Sequence, residues 1–108
     1  MGEVADSSRV FYWLVNDSRN EDCPQEIVSK LVYVYGYYPP GSKFVFPGSQ
    51  YSQIIEQNRS IAITSILQTM REKTGCDFDD DIDQWVDAFG TEKTQDRYRS
   101  FKEFRINR

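Results

Sequence analysis

Residues 49–74 constrain the fold more than any other part of the chain. Apolar side chains recur there at helical spacing, at Ile55, Ala62, Ile63, Ile66, Leu67 and Met70. Polar side chains, Arg59 among them, are expected largely on the opposite side. Gly48-Ser49 supplies a start signal, and Lys73-Thr74-Gly75 supplies a basic last turn followed by glycine. The pattern predicts one long amphipathic helix, whose apolar stripe must be buried against other elements.

Two shorter helices are predicted after it. Over residues 81–90, Asp80 or Asp81 can cap a helix whose buried stripe is Ile82, Trp85 and Phe89. Over residues 92–105, aromatic side chains recur at three-residue steps among basic ones, which predicts an amphipathic helix with a basic face.

The first half of the chain is ambiguous. Pro24 suits the first turn of a helix, and the apolar spacing that follows favours a helix through about Tyr35. The β-branched and aromatic run 31–35 and the turn signal 39–42 instead permit a hairpin over 31–46. Residues 8–16 are equally compatible with a helix face or a buried strand.

Together these elements predict a mainly α protein. A chain of 108 residues is typical of one domain, so we expect residues 1–108 to form a single-domain bundle of three to five helices, with residues 1–7 flexible. A Pro/Gly/aromatic loop is expected at about 36–48. The alternative is an α+β fold with the hairpin at about 31–46.

Composition argues against catalysis. The chain has no histidine, and therefore lacks the commonest general base and metal ligand; it also has no glycine-rich phosphate loop. We expect no enzyme activity, no cofactor and no metal site. Cys23 and Cys76 are expected to be reduced thiols. With no secretory signal and no apolar run long enough to span a membrane, the expected location is cytoplasmic.

An acidic cluster follows the long helix, and it lies in a segment that resembles a known repeat family. Residues 60–89 are similar to the helix-pair end of HEAT-repeat-like helical proteins, in which a helix closes with Thr-Gly-x-Asp-Phe-Gly-x-Asp before a short helix carrying a Trp. The chain matches that pattern at Thr74, Gly75, Asp77, Phe78, Asp81 and Trp85. It departs at Asp79, where the pattern has Gly, and at Ile82, where it usually has Pro. The resemblance implies stacked helices that serve as a scaffold for protein contacts.

Charge is unevenly distributed along the chain. Residues 51–90 carry three basic and eight acidic side chains, whereas residues 91–108 carry six basic and three acidic ones. The acidic residues of 77–87 fail the EF-hand pattern, because Ile82 stands where Gly is required and Ala88 where Glu is required. Helix capping and a solvated turn explain them, and they are a natural internal partner for the basic tail.

The favoured function is protein–protein interaction. Seven of the 16 aromatic residues fall within residues 33–51, around the predicted loop, and aromatic side chains with a polar end are enriched at interfaces. The predicted partner-binding residues are Tyr35, Tyr37, Tyr38, Phe44 and Phe46. The chain would act as an adaptor, an inhibitor or immunity-type binder, or a subunit. Its partner would be a protein, with a basic protein and a second copy of the chain as the candidates, and not a membrane.

The alternative function is nucleic-acid binding through the helix predicted at 97–108. Cations interleaved with aromatic rings are typical of single-strand recognition, and the candidate residues are Arg97, Tyr98, Arg99, Lys102 and Arg105. An isoelectric point of about 4.8 makes nucleic acid the less favoured partner.

Overall fold

The computed structural model describes residues 2–37 and 50–106, and this part of the chain is almost entirely helical. Its helices are α1 (Gly2–Arg19), α2 (Pro24–Gly36), α3 (Gln50–Thr74), α4 (Ile82–Phe89) and α5 (Glu92–Ile106). No strand occurs within the described residues. The mainly α prediction is therefore confirmed, and the helices pack into one compact bundle.

Helix α2 lies at the centre of the bundle and contacts each of the other four helices. Its apolar side chains are completely buried, at Ile27, Val28, Leu31, Val32 and Val34. A helix enclosed by neighbours on several sides needs apolar residues around much of its circumference. The β-branched run at 31–35 therefore reflects a central helix. The alternative hairpin over 31–46 is wrong for its first strand, and residues 38–49 lie outside the described part of the chain.

Helices α1 and α3 run in the same direction along one side of α2. Near one end of the pair, the Arg59 guanidinium lies 5.5 Å from the centre of the Phe11 ring. Near the other end, Lys73 Nζ lies 3.3 Å from a carboxylate oxygen of Asp22, just beyond the end of α1. Residue numbers thus rise together on both helices. Because α2 connects to α1 through a short turn and packs between the two, the three helices form an up–down–up arrangement.

The predicted helices of the second half are confirmed with close boundaries. Helix α3 covers 50–74, while its predicted start signal, Gly48-Ser49, lies outside the described residues. Gly75 adopts a left-handed φ of 74° after the helix, which glycine does at little cost. The Asp81 side chain caps α4 by accepting a hydrogen bond from the backbone N–H of Gln84 at 3.3 Å.

The turn between α3 and α4 forms although it lacks the glycine of the HEAT-repeat-like pattern. Asp79, at the position of that glycine, has a φ of 52°. Asp is one of the few other residues that enter the left-handed region with some ease. Its backbone N–H donates to a carboxylate oxygen of Asp77 at 2.9 Å, and its carbonyl accepts from the indole N–H of Trp85 at 3.1 Å. These local hydrogen bonds hold the turn in place of a glycine.

Candidate functional site

An open groove runs between α1 and α3 on the outside of the bundle. Two large side chains form its exposed walls, Tyr12 on α1 with 75% of its surface exposed and Ile61 on α3 with 66%. Its other lining residues are Phe11, Val15, Arg19, Asn58, Ala62 and Ser65, and its volume is about 270 Å³. Because contiguous exposed apolar surface often marks a contact site, the groove is the strongest candidate site in the described structure.

A buried arginine packs behind Phe11, one of the residues that line the groove. Arg59 is only 2% exposed, and its guanidinium lies against the ring of Phe11, which is itself buried. Its Nη1 donates hydrogen bonds to the carbonyl oxygens of Val34 at 2.6 Å and Tyr35 at 3.1 Å. These carbonyls belong to the last turn of α2, where a positive charge is favoured by the helix dipole. The expectation that Arg59 lies on the solvent side of α3 is therefore wrong.

The groove has a positive end, and most of its remaining surface is apolar, with Asn58 and Ser65 as polar lining residues. Among the described residues that line it, Arg19 at the end of α1 is the only charged one, and none is a carboxylate. Among the side chains that the structure describes, none forms an ion pair with Arg19. This contrasts with the net charge of −4 carried by the whole chain. The groove is thus suited to an apolar segment that places a negative group near Arg19.

The predicted partner-binding tyrosines Tyr35 and Tyr37 are half-buried and pack within the molecule. The Tyr35 ring meets the Tyr98 ring edge-on with centroids 5.0 Å apart. Tyr37 packs edge-on against Phe11 at 5.8 Å and stacks on Tyr33 at 5.6 Å. These two residues therefore support the core beside the groove. The other three predicted partner-binding residues, Tyr38, Phe44 and Phe46, lie outside the described residues.

The alternative nucleic-acid residues are spread over different environments. Tyr98 is buried in the core, Lys102 pairs with Asp83 at 3.0 Å, and Arg99 pairs with Asp96 at 3.0 Å. Arg97 is exposed, and the side chain of Arg105 lies outside the described part. The arrangement offers no face of the Tyr98 ring on which a base could stack.

The acidic segment 77–87 is tied to nearby basic groups. Arg71 lies 3.0 Å from Asp77 and 3.5 Å from Asp80. Asp83 accepts a hydrogen bond from the Tyr98 hydroxyl at 2.5 Å as well as from Lys102. The expected pairing between this segment and the tail is therefore present at Asp83 and Lys102. Among the described residues, no three acidic or cysteine side chains are arranged to hold a metal ion.

The hydrogen bond from Tyr98, with the contribution of Lys102, lowers the pKa of Asp83. Burial and the same hydrogen bond raise the pKa of Tyr98. A carboxylate with a lowered pKa stabilises the fold above its unfolded pKa of about 3.9, and this contribution is lost as the pH falls through the folded value.

We expect Asp83→Asn to lower the free energy of unfolding at neutral pH. We also expect the free energy of unfolding of this variant to fall less steeply as the pH is lowered below neutral. The cost should be below about 1 kcal/mol at pH 7, because the Asp83 side chain is 55% exposed to screening solvent. Urea unfolding at a series of pH values from neutral to about pH 3 measures it. Asp87→Asn, on the exposed side of the same helix, is the matched control. Parallel curves for Asp83→Asn and the unsubstituted protein would contradict the assignment.

Sequence reasoning missed Tyr12 and Ile61 as site residues. Both lie in apolar runs, Val10–Val15 and Ile61–Ile63, which predict burial. The available signal was geometric: with about 100° between successive helical residues, Tyr12 cannot share the stripe of Phe11 and Leu14. Two adjacent aromatics off the core stripe therefore mark an exposed apolar surface.

Comparison of the chain with protein-family models, curated proteins and solved structures gave no match. Within the described residues, none of the helices combines the length and apolar character that crossing a membrane requires.

Proposed function

We propose that the chain is a non-catalytic protein-binding module whose α1–α3 groove receives an amphipathic helix of a partner protein. The observation that carries this proposal is the pair of exposed apolar walls, Tyr12 and Ile61, over an apolar floor. Two helices packed side by side leave a cleft between them, and an amphipathic helix placed there would bury both walls. This is a recurring mode of peptide recognition, in which the bound helix carries apolar anchor residues at positions i, i+3 or i+4, and i+7.

The partner segment should carry a carboxylate near one end. Arg19 alone is charged among the described lining residues, and a partner Asp or Glu beside it would be matched to that charge. A partner that is basic elsewhere would also be steered by the acidic 77–87 segment. The free thiols of Cys23 and Cys76 favour a reducing compartment, and we place the module in the cytoplasm on that basis.

The test is a comparative affinity purification from the native host with two groove variants. Tyr12→Ala and Ile61→Glu should each lose at least about 90% of a specific binding protein, because truncating or charging a central anchor costs about 2 kcal/mol or more. Ser100→Glu is the matched control: it places the same charge on an exposed position of α5, which packs on α2 and α4.

Arg19→Glu should weaken the same interaction more than Arg19→Lys does, because lysine retains the positive charge. Thermal unfolding by circular dichroism must show that all variants remain folded. If every protein that the unsubstituted chain enriches binds the two groove variants equally well, the groove is not the docking site.

A further inference from the structure

The outer face of α1, which points away from the groove, carries a separate surface. Trp13 is 62% exposed on this face. Its side chain is rotated by about 100° around the helix from that of Tyr12, and it does not line the groove. Arg9 lies one turn before it and Asp17 one turn after it, so the three side chains form a stripe at i, i+4 and i+8. Arg9 is exposed, and the Asp17 side chain is 46% exposed.

The charges of this stripe are complementary to those of an identical stripe that runs in the opposite direction. Arg9 and Asp17 lie at equal distances of about 6 Å along the helix axis on either side of Trp13. If a twofold axis passes beside Trp13, Arg9 of one copy faces Asp17 of the other, and the reverse pair forms at the same time. A parallel pairing would instead place like charges together.

We propose that the chain forms a symmetric antiparallel dimer through the Arg9–Trp13–Asp17 stripe of α1. The two indole rings would meet at the twofold axis, and two ion pairs between Arg9 and Asp17 would flank them. Side chains at i and i+4 form the ridges that interlock when helices cross at about −50°, with axes about 8–10 Å apart. A twofold interface of this kind uses the same surface of both copies.

Asp17 already has a partner within its own chain. Lys30 Nζ lies 3.4 Å from its carboxylate, and the Lys30 side chain is only 17% exposed. The second carboxylate oxygen and the exposed side of Asp17 can accept a further cation, as carboxylates often do. The dimer thus extends an ion pair that already orients Asp17.

This dimer goes beyond the proposed function and does not depend on it. It leaves the α1–α3 groove open, because Tyr12, Val15 and Arg19 line the groove and lie off the stripe. A dimeric module would present two grooves and gain avidity toward a partner with two helices. The interface is small, which places it among weak or transient associations.

The test is sedimentation equilibrium of the full chain from about 5 µM to about 500 µM, a range that covers weak interfaces. The unsubstituted chain should associate to a dimer and no further. Trp13→Ala should weaken dimerisation at least tenfold, because a central tryptophan is a typical hot spot. Arg9→Asp and Asp17→Arg should each weaken it about tenfold or more, because each creates two like-charge contacts.

Two combinations of these variants distinguish the loss of a charge contact in the dimer from a folding defect of the chain. The double reversal Arg9→Asp with Asp17→Arg should restore the dissociation constant to within about threefold, although it places a second cation beside Lys30. An equimolar mixture of the two single variants should form heterodimers, because one chain then carries two carboxylates and the other two guanidinium groups. Ile61→Glu, the groove variant, should dimerise normally.

A chain that remains monomeric over the whole range would overturn the proposal. So would a double reversal that dimerises no better than the single variants, or larger assemblies that persist in Trp13→Ala. None of these results would bear on the groove, whose test is partner binding.

Discussion

Trp85→Ala should lower the free energy of unfolding by about 3–5 kcal/mol, the range for truncating a large aromatic residue in a core. The Trp85 side chain is completely buried. Its ring forms a cluster with Phe78, with centroids 4.8 Å apart, and Phe89, at 6.0 Å. Its indole N–H also donates to the backbone carbonyl of Asp79. The substitution therefore opens a cavity and removes the donor that holds the 79–81 turn.

Urea unfolding followed by circular dichroism measures this effect. Trp85→Phe keeps most of the apolar ring but loses the N–H donor, so its cost should be smaller, about 1–2 kcal/mol. Trp13→Ala is the matched control, because it removes the same side chain from the surface and should change stability by less than about 0.5 kcal/mol. Measurements at sub-micromolar concentration keep self-association out of the comparison. Equal losses at the two tryptophans would contradict the described core.

Arg59→Met should lower the free energy of unfolding by about 2–4 kcal/mol, although methionine fills much of the same space. Arg59 is buried, and it donates to the carbonyls of Val34 and Tyr35 at the end of α2. An apolar side chain leaves both carbonyls without this donor and also removes the cation beside Phe11. The guanidinium thus joins α3, α2 and α1 at a single point.

Arg59→Lys distinguishes the contribution of the positive charge at this position from that of the planar guanidinium group. Lysine keeps the positive charge but lacks the planar fork of donors that reaches the carbonyls and Glu56, so about half of the loss should remain. Arg97→Met, on the exposed side of α5, should change stability by less than about 0.5 kcal/mol. If Arg59→Met is as stable as the unsubstituted chain, Arg59 does not fix the end of α2.

Much of the helical architecture could be predicted from local patterns. Helices α3, α4 and α5 each expose one side, so their apolar spacing predicts them, and a terminal glycine follows both α3 and α4. The short stripe of Ile82, Trp85 and Phe89 identified a buried tryptophan correctly. Helix α2 was harder because a central helix is apolar on several faces, and its run at 31–35 then resembles a strand.

The candidate site was less predictable because its features depend on packing between distant segments. The sequence pattern places Arg59 on the solvent side of α3, because its hydrogen-bond acceptors cannot be identified from the sequence. They are backbone carbonyls of another helix, and no particular side chain marks their position. Tyr12 and Ile61 line a groove only because α1 and α3, which are distant in sequence, pack side by side. Tyr35 and Tyr37 were predicted to bind a partner because aromatic residues are concentrated in that segment. Their ring contacts instead lie within the bundle.

Photo-crosslinking tests directly whether the α1–α3 groove receives a helix from a partner protein, as we propose. A benzophenone amino acid is placed at Ile61 in the groove and, as the control, at Ser100 on α5. We expect the probe at Ile61 alone to attach to an amphipathic helical segment of one partner protein, and Tyr12→Ala to abolish the product. Absence of a partner crosslink at Ile61, or the same product from Ser100, would contradict the proposal.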